Sequence, residues 1–329
     1  MKRFFALTCM AGALSAQIIL QDSHSKASLR GIHSLGNGVA WASGTGGTVL
    51  RTVDGGKSWQ RCAAPPGAEK LDFRAVQGFD ESTAVVMSAG TGDLSRLYKT
   101  TDACGSWKLV LSNPDKEGFW DALQFQGPGL GALVGDPVDG AFPVFLSRDG
   151  GNTWRKPDPK GIRADRKDQA IFAASNSSML LRDGKLLLLT GGGTTSLITA
   201  DPQFAAPPLY APVPLAIGES AGGYSLASGG GVIVLVGGDY KAPTRNSGSA
   251  AWCNPACHPA DAPPGGYRSA VAYDEPAKTW LAVGPTGADI STDNGRTWRP
   301  IDLGLNWNAI SLPFIAGAEG RIGVVTLSK

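Results

Sequence analysis

Histidine is nearly absent from this chain: three of 329 residues, His24, His33 and His258. With so few, neither a Ser-His-Asp arrangement nor a histidine-rich metal centre can be argued. Charge is also sparse, 18% of residues with a formal net of +2, and it forms no basic run or amphipathic helical stripe. That balance speaks against a nucleic-acid partner and against an anionic membrane surface. No apolar stretch is long enough to span a bilayer. The glycine triplets at 191–193 and 229–231 read as tight hairpins, because a dinucleotide fingerprint needs a strand–turn–helix unit. No cofactor site is visible, and none is expected.

Glycine is abundant, 45 residues, among many short apolar runs in a chain that is 42% apolar. Both features point to an all-β fold. One eight-residue phrase organises it. Thr52-Val53-Asp54-Gly55-Gly56-Lys57-Ser58-Trp59 returns at 100–107, 147–154 and 291–298. Each copy keeps a hydroxyl residue, an Asp two places on and a Trp seven places on. Three keep Gly at the fifth position, where the second copy has Cys104. These residue types suit a tight turn between two strands: the carboxylate accepts nearby N–H groups, the Gly takes φ > 0, and the Trp opens the next strand as a wedge.

Spacing counts the repeats. The copies start 48, 47 and 144 residues apart, and 144 is three periods, so two degenerate copies lie between Trp154 and Ser291. Apolar runs ending in Gly44, Gly90, Gly135, Gly191, Gly237 and Gly284 locate six units. A seventh joins 308–313 and 321–327 to the N-terminal 18–23, closing a ring by pairing the chain ends. The expectation is a seven-bladed β-propeller of four-stranded antiparallel blades occupying 17–329 as one domain.

The phrase resembles the Asp-box (BNR) repeat of β-propellers, found in sialidases and in the Ycf48-like photosystem II stability and assembly factors. With the blade count and an arginine-bearing channel face, 50–59 resembles the latter family most. In that family the box is an architectural turn, and an arginine patch contributes to partner binding during photosystem II assembly. The resemblance implies a scaffold and offers Arg30, Arg74 and Arg268 only as a class of position. Sialidases place an Arg-Ile-Pro motif near the domain start, and none occurs here.

Residues 1–16 have a secretory pattern: Lys2 and Arg3, an apolar 4–14, then small residues to Ala16. Removing them leaves Cys62, Cys104, Cys253 and Cys257 in a periplasmic or secreted protein, expected to act as a monomer. Cys253 and Cys257 fall where the fifth blade's box belongs, so a local disulfide would stand in for the hydrogen-bonded turn, free thiols being the other reading. A metal site from this pair and His258 lacks a second half. Cys62 lies along the strand after its box and Cys104 inside the next box, so the two are expected near opposite ends of neighbouring blades, beyond bridging distance.

In a propeller meander, the start of the innermost strand and the end of the second emerge on one face beside the channel, and the boxes emerge on the other. Counting back from the terminal glycines selects Arg30, Arg74, Asp121, Ser177 and Arg268, with Asn308 in the seventh blade. Asp136, Asp239 and Tyr240 follow second strands, and Trp120, Tyr267 and Trp307 neighbour the inner strands. The charged loop 157–173 is expected to lie over one face. Such a rim suits a protein or peptide partner, with a glycan possible. The alternative is a sialidase-like glycoside hydrolase using rim carboxylates such as Asp121 and Asp136.

Overall fold

The computed structural model describes residues 15–157 and 161–328. All but the last two residues of the 1–16 leader reading lie outside that range; Ser15 and Ala16 belong to the strand Ser15–Gln21. Seven antiparallel blade sheets follow one another around the ring, with one further two-stranded ribbon, Ala141–Phe142 paired to Ile162–Arg163. Their innermost strands are Leu29–Gly36, Phe73–Gly78, Trp120–Gln126, Met179–Arg182, Gly218–Gly229, Ala270–Asp274 and Trp307–Ser311. Blade 3 keeps only a single bridge, Leu146 to Arg155, in place of its fourth strand. Blade 7 is completed by Ser15–Gln21, which pairs along Ile322–Ser328 from Ser15 opposite Ser328 to Gln21 opposite Ile322. The two ends of the chain therefore share a sheet, and the ring has no open edge.

The alternation of each strand feeds seven apolar layers, one between each pair of blades. Trp41, Trp120, Trp280 and Trp307 are fully buried in them. Truncating one of these to Ala would cost about 3–5 kcal/mol.

The repeated turn forms in all four copies. In the first, the Thr52 hydroxyl donates to Asp54 (2.8 Å) and accepts the Gly56 amide (3.0 Å), while Asp54 accepts the Ser58 amide (3.0 Å) and hydroxyl (2.5 Å). The same bonds recur at Asp102, Asp149 and Asp293. Donors from Ser58, Ser106 and Thr153 hold the Asp54, Asp102 and Asp149 carboxyls at a pKa of about 2. The Trp packs as a wedge: Trp59 meets Phe314 of the preceding blade edge-on at 5.7 Å, and Trp154 meets Phe125 of its own blade at 5.8 Å.

The fifth position of the turn also faces the preceding blade. A Cβ at Gly56, Gly151 or Gly295 would press on Phe314, Val85 or Val234. Here the expectation for Cys62 and Cys104 is corrected. Cys104 occupies that inward-facing position, with φ +62°, and blade 1's outer strand Gln60–Arg61 is so short that Cys62 remains beside it. The two form a disulfide with Cα atoms 5.6 Å apart. Cys253 and Cys257 form the second, across the hairpin of blade 5 where the box is missing. His258 stacks on Trp252 beside it.

Candidate functional site

A repeated irregularity builds the channel mouth. In five blades the inner strand carries a register slip, at its second residue in four and midway along Gly218–Gly229, and the residues skipped there are Arg30, Arg74, Asp121, Tyr224 and Asn308. A bulge turns its extra side chain out of the ladder. Here four of the preceding residues, Leu29, Phe73, Trp120 and Trp307, stay fully or almost fully buried between blades. All five bulged residues line one cavity of about 540 Å³, together with Asp136, Tyr240, Tyr267, Phe172 and Ser269.

Seven of the twelve residues named from sequence meet at this cavity: Arg30, Arg74, Asp121, Asp136, Tyr240, Tyr267 and Asn308. The other five are elsewhere. Trp120 and Trp307 are wholly buried, one edge-on to Phe145 and the other donating its indole N–H to Leu303 O. Both precede a bulge and so point into the core, away from the rim. Arg268 is 3% exposed at the side chain and locked on Asp289 by two nitrogens at 2.6 and 2.5 Å. It sits one residue before the channel-lining Ser269, and Gly284 abuts it as Gly44 abuts Leu29. A count off by one residue carries a side chain to the other face of a strand. Ser177 is taken up in hydroxyl bonds with Ser175 and Ser225. Asp239 accepts the Ser220 hydroxyl and the Lys241 amide outside the cavity.

The loop before blade 4 enters the channel mouth, where sequence placed it merely over a face. Asp136 accepts the Ile171 amide at 2.9 Å, and Arg74 donates to Ala173 O at 2.9 Å. Phe172 stacks on Tyr224 with centroids 4.2 Å apart and planes within 3°, and Tyr267 closes on Tyr224 edge-on at 4.7 Å. Ser175 donates to Ser269 O at 2.6 Å, and Asn176 accepts the Leu123 amide at 2.7 Å. Residues 171–176 thus touch blades 2, 3, 5 and 6. Phe172 and Tyr224 carried no signal in the repeat count, because one lies in a non-periodic loop and the other in an inner strand longer than expected.

The electrostatics are divided. Burial, then the neighbouring Asp136, raises the Asp121 carboxyl well above its usual range. Burial raises Asp136 to about 6, against the Ile171 amide that favours its charge. Opposite them, Arg74 is paired with Asp72 at 2.8 Å. Arg30 shares the same carboxylate's field; burial and Arg74 both disfavour its charge, and its Nε is buried with no protein partner among the described residues. The site combines an under-compensated guanidinium, a carboxyl pair and an aromatic wall. That chemistry can hold polar, anionic and planar groups of a ligand.

No protein-family model matches the sequence, and no curated protein matches it significantly. Solved structures do. YCF48 from Cyanidioschyzon merolae aligns over 93% of this chain and 98% of its own with a TM-score of 0.66 at 19% identity. The chain has the fold of the YCF48 propellers. A structure described as YCF48 bound to D1 peptide aligns over 94% of this chain and 96% of its own, TM-score 0.62, 14% identity. The GH74 xyloglucanase from Xanthomonas campestris aligns over 86% of this chain and 54% of its own, TM-score 0.54, 15% identity. At these identities the likeness to YCF48 and to the xyloglucanase is one of fold.

Proposed function

We propose that this protein is an exported, non-catalytic scaffold that binds a peptide segment of a partner protein at its channel mouth, in the manner of an assembly factor. One observation carries the reading: the bulged Arg30, half-buried, with an Nε that no protein group satisfies, stands beside Arg74 in a cavity walled by tyrosines. A buried donor without a partner is costly, and a ligand acceptor would relieve it. The same fold binds a peptide in YCF48. Export is supported by the leader pattern and by two disulfides, which persist in oxidising compartments.

The test is capture from native extract by wild type and by an Arg30→Ala/Arg74→Ala variant of equal thermal stability, with the captured proteins identified and their binding segments titrated as synthetic peptides. Partners that bind wild type and are lost from the variant support the reading; retention of the same partners by both defeats it. The glycoside-hydrolase reading keeps one observation in its favour, the raised carboxyl pair Asp121 and Asp136. Asp136 accepts the Ile171 amide of the entering loop, which leaves it poorly placed to reach a glycosidic oxygen.

A further inference from the structure

Residues 171–174 cross the channel mouth without joining any sheet. Within them one backbone pair bonds, Ala174 N to Phe172 O at 2.9 Å. Every other bond to their backbone comes from a side chain: Asp136 takes the Ile171 amide, and Arg74 reaches the Ala173 carbonyl. Side chains that hold a backbone in this way read any extended chain with the same spacing of N–H and C=O groups. The ring position is more demanding. Phe172 lies flat on Tyr224 above two glycines, and a Cβ built on Gly191 or Gly222 would come within 2.4 or 3.1 Å of its ring. The slot is shaped for a planar side chain.

The anchors lie on either side. Gln169 and Ala170 pair with Gly192 and Gly191, and Ser175 and Asn176 are bonded to blades 6 and 3. The four residues between can lift away without breaking a ladder, at the cost of withdrawing Ile171, 2% exposed, from the apolar layer between blades 3 and 4.

We infer that residues 171–174 are an internal ligand of the channel mouth, and that the partner segment is an extended peptide with an aromatic side chain that displaces them, setting its ring on Tyr224. The inference rests on the channel-face reading above and adds the partner's chemistry and the competition. Displacement lowers the apparent affinity by the fraction of molecules whose mouth is open, so loosening the plug tightens binding.

The probe is the blocked heptapeptide acetyl-Gln-Ala-Ile-Phe-Ala-Ala-Ser-amide, titrated into the full-length protein and into an Ile171→Pro/Phe172→Ala variant. The first change removes the amide that Asp136 accepts, and the second empties the ring slot. The variant is expected to bind the probe at least about tenfold more tightly than wild type, and to lose that gain for a probe with Ala in place of Phe. A folded variant that gains nothing, or gains equally for both probes, overturns the inference. Should the variant not fold, hydrogen exchange on wild type decides. The inference requires the amides of Ile171 and Ala173 to exchange at least about a hundredfold faster than those of Leu133 and Leu188, and equal protection overturns it. If the Arg30/Arg74 variant loses its partners while the loosened variant gains no probe, the internal ligand is rejected and the channel-face reading stands. If instead the arginine variant keeps its partners, the displacement inference falls with the reading it rests on.

Discussion

Aspartate appears at both faces of this ring in opposite states. On the box face, Asp54, Asp102, Asp149 and Asp293 sit in turns whose hydroxyls and amides converge on the carboxylate, and each is held below its usual range. At the channel mouth, Asp121 and Asp136 lose water without gaining a full set of donors, and both are raised. The repeated carboxylate is architectural: it meets its needs within one turn and asks nothing of a ligand. The unrepeated pair, with Arg30 and Asp72 atoms left unsatisfied nearby, is where the fold carries unspent interaction capacity. Repetition marks the structural face here, and its breakdown marks the candidate functional one.

The largest expected effect sharpens the structural side. In Cys62→Ser/Cys104→Ser, blades 1 and 2 lose the covalent link that replaces the glycine contact, and denaturant unfolding should show a loss of about 2–4 kcal/mol. Reduction of wild type should reproduce it in part. Next, Asp293→Asn and Asp121→Asn contrast the two faces directly. The first removes a charged acceptor bonded to Ser291 and Thr297 and should cost about 1.5–3 kcal/mol at pH 7. The second replaces a carboxyl whose charged form burial already disfavours, and should cost less than about 1 kcal/mol by the same measurement. Equal losses would erase the distinction drawn between the faces.

The most specific effect is in pH. With a folded pKa of about 6 against 3.8, Asp136 binds its proton more tightly in the folded state. Its contribution is therefore most favourable below pH 3.8, declines as pH rises through about 6, and amounts to a cost of up to about 3 kcal/mol above that. His33 runs the other way. Burial lowers it to about 4, so its stabilising neutral form is lost as pH falls from 6.5 through 4. The box aspartates contribute fully above 3.8 and lose that contribution as pH falls through about 2. Stability measured from pH 7 to 5 should thus slope differently in Asp136→Asn and in His33→Gln, the first losing a rise toward acid and the second losing a fall. Carboxyl NMR should place the Asp136 midpoint near 6.

The blade count, the ring closure and the face that holds the mouth could be read from spacing alone, because the box phrase recurs with a fixed period and apolar runs end in Gly at matching places. Arg30, Arg74, Asp121 and Asn308 were reached by that counting. What counting cannot see is whether a bulge is present: one extra residue in a strand leaves no compositional mark, and in blade 6, whose inner strand shows no register shift, Ser269 lines the channel while Arg268 is buried on Asp289. The same blindness put Trp120 and Trp307 on the rim. The plug was hidden for a different reason. Residues 171–176 belong to no period, and their partners Arg74, Asp136, Tyr224 and Ser269 come from four blades spread along the sequence.

The strand Ser15–Gln21 has a further meaning for a chain made from one end to the other. It is the first described segment to leave the ribosome, yet its only sheet neighbour is Ile322–Ser328, among the last. Throughout synthesis it must wait as an unpaired strand while six blades form behind it, and the ring cannot lock until Ile322–Ser328 has been made. A chain cut short near its C-terminus would therefore betray itself at both ends at once, presenting an orphaned first strand and an unfinished last blade to whatever proteases patrol the compartment.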